Sequence, residues 1–182
     1  MNIQTPLSSV HIALSLLIAG MMLSGCTARQ AGVSTSSAGH AMGVAYDSEG
    51  TGYAYPYPVE YFEFESQRSD VRMAYLDIAP EGKSQGRTVV LLHGKNFGAF
   101  SWETTIESLS KAGYRVIAPD QIGFAKSSKP EGYQYSFQQL AANTRALLDS
   151  LGIDRSVIVG HSMGGMLATR YALLYPEATE KL

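Results

Sequence analysis

The sequence predicts an α/β fold in which helices cover both faces of a mostly parallel sheet. Three short apolar runs have the character of strands buried on both faces, namely Thr88–Leu92, Tyr114–Ala118 and Ser156–Val159. A segment with apolar residues at helical spacing follows each run, and this alternation is typical of parallel sheets. Ligands of such folds bind beyond the carboxyl ends of the strands. The residues that directly follow the three runs are therefore candidates for a functional site.

Two more strands are predicted ahead of the apolar runs. In the second half of Val59–Ser66, Phe62 and Phe64 alternate with acidic residues, as in a strand with one exposed face. A further strand, Val71–Ile78, ends shortly before Pro80. These two strands precede the β-α-β-α-β-α part of the chain and complete the predicted sheet.

Capping and stop residues predict the limits of three helices. The helices run from Ser101 to Gly113, from Ser136 to Gly152, and from just after Gly165 to Pro176. Ser136 begins a Ser-Phe-Gln-Gln segment that fits a capping box. The glycines and the proline at the other ends are common helix terminators.

Composition excludes several classes of protein. The 182 residues are 45% hydrophobic, enough to form a core, and the formal net charge of −2 gives no reason to expect a nucleic-acid partner. The single cysteine excludes an intramolecular disulfide framework and a cysteine-cluster zinc site. We therefore predict no metal and no cofactor.

The first 25 residues carry no Lys, Arg, Asp or Glu and include the apolar run Ile12–Leu23. This run has the length of a signal peptide and is too short to span a membrane. It ends in Leu-Ser-Gly-Cys26, which resembles the lipobox of bacterial lipoproteins. The resemblance implies that residues 1–25 are removed and that Cys26 is lipidated, so that the lipid bilayer is a partner. Thr27, in place of Asp, favours the periplasmic side of the outer membrane.

The leader also has other interpretations. It lacks the Lys or Arg that usually precedes the apolar run. An uncleaved anchor, plain secretion to the periplasm or beyond, and a start codon assigned too early all remain open. Residues 26–58 are rich in Ala, Gly, Ser and Thr and predict a flexible tether. Within it, Tyr53–Pro58 could instead lie extended on the domain that we expect over residues 59–182.

The residues after the third apolar run match the pattern G-x-S-x-G, with Ser162 between Gly160 and Gly164. The match alone is weak, but an apolar strand leads into it and an apolar-faced helix leads out. Such a tight turn holds its serine in a strained conformation above the sheet, and flanking side chains would clash. The pattern therefore predicts Ser162 as a nucleophile.

Polar residues also follow the other two runs. His93 and Gly94 come directly after Thr88–Leu92, and acyl transfer requires N–H donors aimed at the developing oxyanion. We predict that the backbone N–H groups of Lys95 and Met163 form this pair. His93 is expected to stabilise the turn through hydrogen bonds to backbone, and Asp120, after the second run, to be a structural acid.

Together these motifs resemble the α/β-hydrolase superfamily. The match consists of the His-Gly loop, the position of Trp102, the Asp120-x-x-Gly loop with Ala125 at a usual glycine, and the Gly-His-Ser-Met-Gly-Gly elbow. They resemble the group of prolyl iminopeptidases, epoxide hydrolases and C–C bond hydrolases. Epoxide hydrolases carry Asp as the nucleophile, so Ser162 implies hydrolysis of an ester, amide or C–C bond in a small-molecule substrate through an acyl-enzyme.

The family order of the catalytic triad is Ser, then Asp or Glu, then His. None of the four histidines follows Ser162. We therefore expect the sequence to be the N-terminal part of a serine hydrolase that is inactive by itself. Two alternatives are a non-catalytic binding module tethered to a membrane and a half-enzyme that a second chain completes.

Overall fold

The structure is a computed structural model that describes residues 47–182. One six-stranded sheet forms its centre, with strand order β1-β2-β4-β3-β5-β6. The strands are β1 Glu60–Ser66, β2 Ser69–Ile78, β3 Thr88–Leu92, β4 Arg115–Pro119, β5 Ser156–Gly160 and β6 Thr179–Lys181. The helices are α1 Glu103–Lys111, α2 Phe137–Ser150 and α3 Met163–Leu174. The predicted α/β class is confirmed.

The sheet is parallel from β4 to β6 and antiparallel at its other end. β1 pairs along its whole length with the first seven residues of β2, and the two strands are joined by Gln67 and Arg68, whose φ values are 53° and 61°. Two successive positive φ values are typical of the type I′ turn, which matches the twist of a hairpin. The hairpin forms one end of the sheet.

Two apolar cores lie on opposite faces of the sheet. The larger joins α2 and α3 to one side of β3, β4 and β5, with Leu147, Ile158 and Tyr171 fully buried. The smaller joins α1 to the other side through Ile106 and Leu91. The central strand β3 contributes to both cores, which explains its continuous apolar sequence.

Two helix starts differ from the sequence prediction. A 3-10 helix, Ala99–Trp102, precedes α1, and α3 begins at Met163, two residues before Gly165. The Ser136 hydroxyl accepts a hydrogen bond from Gln139 N at 3.2 Å, which confirms the cap. The Gln139 side chain does not complete the capping box, because among the described residues its oxygen accepts no hydrogen bond from Ser136 N; its amide nitrogen donates to Ser66 Oγ and Asn143 Oδ1.

Two segments differ more strongly from expectation. β6 was not predicted, and it pairs with β5 at Ser156 and Val157 with an irregular register. Residues 47–58, which we call the N-terminal arm, were expected to belong to a flexible tether. Tyr55 and Tyr57 of the arm instead pack against the smaller core, an arrangement closer to the extended alternative for Tyr53–Pro58.

The predicted signal peptide, Cys26 and residues 26–46 of the predicted tether lie outside the described residues. Within residues 47–182, no helix has the length and apolar character needed to cross a membrane.

Candidate active site

Ser162 occupies a one-residue turn between the end of β5 and the start of α3. Its φ of 57° and ψ of −120° lie in a region that residues with a Cβ rarely adopt. Gly165 N donates to Ser162 O at 2.9 Å and thereby begins the helix. Ser162 is exposed at the carboxyl end of the sheet, near the positive end of the α3 dipole.

The glycines on either side of Ser162 leave no space for a side chain. A Cβ at Gly160 would lie 2.1 Å from Gly164 O, and a Cβ at Gly164 would lie 2.0 Å from Leu92 O. The backbone of α3 therefore rests directly on the end of β3. This contact brings Ser162 beside the loop that follows β3.

That loop, His93–Gly98, is called the 93–98 loop below. A Cβ at Gly94 would lie 3.3 Å from the Cβ of Ser162, so the loop backbone passes next to the serine. Lys95 is exposed, and Met163 is the first residue of α3. Within residues 47–182, no acceptor is hydrogen-bonded to the backbone N–H of Lys95 or Met163. Both donors are available to a ligand oxygen.

His93 is completely buried, and both ring nitrogens are hydrogen-bonded to backbone. Nδ1 donates to Gly94 O at 2.8 Å, and Nε2 accepts from Gln121 N at 3.0 Å. Burial lowers the pKa of His93, so its neutral form prevails near pH 7. The histidine joins two loops, as expected for a turn-stabilising residue.

Asp120 is also buried, and its carboxylate holds three donors. Oδ1 accepts from Ala99 N at 2.6 Å, and Oδ2 accepts from Tyr55 Oη at 2.6 Å and from Lys126 N at 3.0 Å. None of these three hydrogen bonds involves Ser162. Asp120 is a structural acid that connects the N-terminal arm, the 93–98 loop and its own loop.

The loop after Asp120 departs from the family pattern at one backbone position. Ala125 has a φ of 44°, in the left-handed region that glycine adopts without strain. Its Cβ would also lie only 2.7 Å from a Cβ at Gly98. Glycine at residue 98 therefore accommodates alanine at residue 125.

Two recesses flank the serine. One, of about 170 Å³, includes Gly94, Phe97, Trp102 and His161 in its wall. The other, of about 410 Å³, is mainly apolar and is lined by Phe124, Tyr135, Phe137, Leu140 and Met163, among others. The residues directly before and after Ser162 thus each line one recess.

Among the described residues, the remaining polar groups do not form a metal site. His161 is exposed, and its ring centroid lies 6.4 Å from that of Phe97. A larger cavity, about 600 Å³, lies by the β1–β2 hairpin and contains none of the predicted site residues. In the described part of the chain, no three His, Cys, Asp or Glu side chains are placed to hold a metal ion.

The turn, the loop and the sheet order can be compared with known proteins. Residues 87–181 match the family described as having the alpha/beta hydrolase fold. The chain belongs to this family. The match covers β3 to β6 and therefore includes every predicted site residue except Cys26.

Curated relatives of this α/β-hydrolase have several activities. It is 39% identical over 108 residues to an AB hydrolase superfamily protein of Bacillus subtilis, covering 59% of this chain and 38% of the relative. It is 37% identical over 109 residues to epoxide hydrolase A of Mycobacterium tuberculosis, covering 59% and 34%. It is 42% identical over 104 residues to 2-hydroxy-6-oxo-6-phenylhexa-2,4-dienoate hydrolase of Burkholderia cepacia, covering 54% and 35%.

Solved structures extend the likeness. A probable hydrolytic enzyme of Pseudomonas aeruginosa is 63% identical, with a TM-score of 0.73 over 74% of this chain and 43% of that protein. A meta-cleavage product hydrolase of Pseudomonas fluorescens is 38% identical, with a TM-score of 0.55 over 60% and 39%. The α/β-hydrolase chain spans little more than a third of the length of the curated relatives above.

One residue of the site escaped the sequence analysis. Tyr55 reaches Asp120 from the N-terminal arm, a segment whose composition predicts flexibility. The signal that could have found it is the spacing of Tyr53, Tyr55 and Tyr57, which alternate as in an extended segment with one apolar face.

Proposed function

We propose that the protein is a serine hydrolase that cleaves an ester, amide or C–C bond in a small molecule through an acyl-enzyme on Ser162. The observation that supports this most is the backbone of Ser162. A non-glycine residue at φ 57°, between two glycines that admit no side chain, is costly for a structural turn. The cost is understandable when the hydroxyl has to be presented to a ligand.

The reaction has two steps. The Ser162 hydroxyl attacks the carbonyl carbon and gives its proton to a general base, and the base passes that proton to the leaving group as the scissile bond breaks. Water then attacks the acyl carbon, and the acid product leaves as the serine regains its proton. In the family order, the acid and the base follow the serine. The proposal therefore concerns the whole protein, because this chain covers only 38% and 35% of the length of two of its relatives.

The residues described by the structure would stabilise the negative charge that develops in the reaction. Lys95 follows Gly94, whose backbone passes next to Ser162, and Met163 directly follows Ser162; the N–H groups of both lack acceptors within the described residues. They would donate to the carbonyl oxygen as it becomes an oxyanion. Removal of one such donor typically lowers kcat by about 10²–10³-fold.

The relatives suggest which substrates to try first. One similar protein is a 2-hydroxy-6-oxo-6-phenylhexa-2,4-dienoate hydrolase, and another is a meta-cleavage product hydrolase. The apolar recess of about 410 Å³ beside Met163 can hold an aryl or alkyl group of such a substrate. Simple p-nitrophenyl esters and a dienoate ketone are therefore the first substrates to assay.

Substitution of Ser162 by alanine tests the proposal, because it removes one oxygen atom and leaves the turn intact. We expect kcat to fall at least about 10³-fold with unchanged thermal unfolding. Ser84→Ala, in the exposed loop before β3, is the matched control and should keep wild-type activity. Labelling by a fluorophosphonate, located by mass spectrometry, should disappear in Ser162→Ala alone.

Retention of more than a tenth of the activity in Ser162→Ala would assign the chemistry to another residue. A folded protein that neither hydrolyses the substrates nor reacts with the fluorophosphonate would favour the binding-module alternative. Activity that appears only on addition of a second polypeptide would favour the half-enzyme alternative.

We also propose that Cys26 anchors the protein to the cell envelope, with the outer membrane favoured. The support is the uncharged leader that ends in Leu-Ser-Gly-Cys. Metabolic labelling with palmitate should mark the wild type and not Cys26→Ala, because the variant lacks the proposed acylation site. Stable anchoring requires more than one acyl chain. Equal labelling of both proteins, or of neither, would contradict the proposal.

A further inference from the structure

We propose that Tyr55 of the N-terminal arm is a positioning residue for catalysis, which fixes the 93–98 loop, and with it the Lys95 N–H, through Asp120. The inference rests on the proposed hydrolase function, since it gives that loop an oxyanion to bind. It concerns a residue outside the matched family region 87–181.

The starting point is that residues 120 and 121 hold both ends of the 93–98 loop. At the first end, Gln121 N donates to His93 Nε2 at 3.0 Å. At the second end, Ala99 N, directly after the loop, donates to Asp120 Oδ1 at 2.6 Å. A loop held at both ends follows the position of those two partners.

The Asp120 carboxylate also limits the path of the loop by direct contact. A Cβ at Gly98 would lie 2.7 Å from Asp120 Oδ1, so the backbone approaches the carboxylate as closely as a glycine allows. A rotation of the carboxylate would therefore displace Gly98 and Ala99. The orientation of Asp120 is coupled to the loop by contact as well as by hydrogen bonding.

Tyr55 holds that orientation through the other carboxylate oxygen. Its hydroxyl donates to Asp120 Oδ2 at 2.6 Å, a short bond to a charged acceptor. Burial and the neighbouring carboxylate raise the pKa of Tyr55, so the hydroxyl keeps its proton and remains a donor. Among the described residues, Oδ2 has one other donor, Lys126 N at 3.0 Å, so the loss of Tyr55 leaves the carboxylate less constrained.

The arm is itself held in place, which makes Tyr55 a fixed point. Lys126 Nζ donates to Gly50 O at 2.8 Å and to Thr51 O at 3.2 Å, and it lies 5.0 Å from the Tyr55 ring centroid. The Tyr55 ring also makes an edge contact at 5.5 Å with Phe100, in the 3-10 helix that follows the loop. The same tyrosine thus touches the loop's continuation and its anchor.

This arrangement predicts a specific kinetic effect. The Lys95 N–H contributes when the carbonyl oxygen becomes negatively charged, and far less when the neutral substrate binds. A small displacement of the 93–98 loop should therefore lower kcat and leave KM nearly unchanged. A purely structural role for Tyr55 would lower the unfolding temperature without this separation.

The test uses Tyr55→Phe in the full protein, because the substitution keeps the ring and removes only the donor. We expect kcat to fall about tenfold with KM within twofold of wild type. Hydrogen exchange of the Ala99 amide should become roughly tenfold faster, since its acceptor is less constrained. Tyr61→Phe is the matched control, because Tyr61 is exposed and contacts Arg72 through its ring. The substitution keeps that ring.

The outcomes separate the two proposals. Wild-type kcat and wild-type exchange in Tyr55→Phe would overturn the inference, and so would a rise in KM with unchanged kcat. If Ser162→Ala stays active, the proposed function fails. In that case the Tyr55 inference fails as a statement about catalysis, while the exchange of Ala99 still reports whether Tyr55 orders the loop.

Discussion

The candidate site joins two regions that differ in how they are held. On the loop side, the loops after β3 and β4 bury His93, Asp120, Gln121 and Ser127, and each has hydrogen bonds within the protein. On the serine side, Ser162 and His161 are exposed, and neither side chain forms a hydrogen bond among the described residues.

The serine side is also more open at its outer surface. Val159 of β5 is 38% exposed, and Met166 and Leu173 of α3 are 56% and 70% exposed. β6 covers only the first two residues of β5. At the opposite end of the sheet, β1 pairs with β2 over seven residue pairs. The comparison indicates that hydrogen bonds order the loop side, whereas close backbone packing orders the serine side.

The largest expected effect on stability is on the loop side. Asp120→Ala leaves Ala99 N, Lys126 N and the Tyr55 hydroxyl without their acceptor. Because an unsatisfied buried donor costs about 1–3 kcal/mol, we expect a loss of about 4 kcal/mol in unfolding free energy. Urea unfolding followed by circular dichroism measures it. Asp154→Ala, at an exposed position, is the control, and an equal loss in both variants would contradict the comparison.

A single methyl group should disrupt the serine side. In Gly164→Ala the new Cβ would meet Leu92 O at 2.0 Å, and neither backbone can move away cheaply. We expect a loss of about 3 kcal/mol in unfolding free energy. Gly165→Ala is the neighbouring control, since its Cβ would lie 3.6 Å from the nearest atom, and alanine favours a helix. Similar unfolding temperatures for the two variants would show that close packing does not order this side.

Acid should weaken the loop side first. Because the pKa of His93 is lowered by burial, the unfolded chain takes up the proton near pH 6.5 while the folded protein does not. The unfolding free energy is therefore unaffected by His93 titration above about pH 6.5. Below that pH it declines, by up to about 1.4 kcal/mol per pH unit. Unfolding free energies at about pH 7.5 and 5.5 test this. His93→Asn should flatten the difference, and His161→Gln should retain it.

The smallest effect is expected on the outer surface of α3. Leu173→Gln should change the unfolding free energy by less than about 0.5 kcal/mol, because the side chain is 70% exposed. Leu167→Gln, on the buried face of the same helix, should cost several times more. A loss above about 1 kcal/mol in Leu173→Gln would reveal that other residues cover this face in the whole protein.

Local patterns predicted the elements that carry the site. β3 matches the predicted run Thr88–Leu92 residue for residue, β4 begins and ends one residue later than predicted, and β5 is one residue longer at its end. Strands buried on both faces have continuous apolar sequences, and the glycines around Ser162 mark a turn that other residues cannot form. Such features depend on residues that are close together in the sequence, so they can be predicted from it.

Contacts between distant segments were not predictable in the same way. Tyr55 meets Asp120 across 65 residues of sequence, and the composition of its segment favours flexibility. Gln139 has the position of a capping-box residue but bonds to Ser66 in the β1–β2 hairpin. β6 has three residues, too few for a period, and exists because β5 offers it an edge. In each case a tertiary partner decides the outcome.

The position of β3 has a consequence for biosynthesis. This apolar strand lies between β4 and β5, which both come later in the chain. A ribosome adds roughly 5–20 residues per second, so β3 waits for seconds before its second neighbour is made. During that time its backbone edge is open to other chains, and factors that bind nascent polypeptides have reason to act there. Ser162 and Gly164, of which Gly164 packs on Leu92, are made last of these parts, so these elements of the site come together only at the end of this interval.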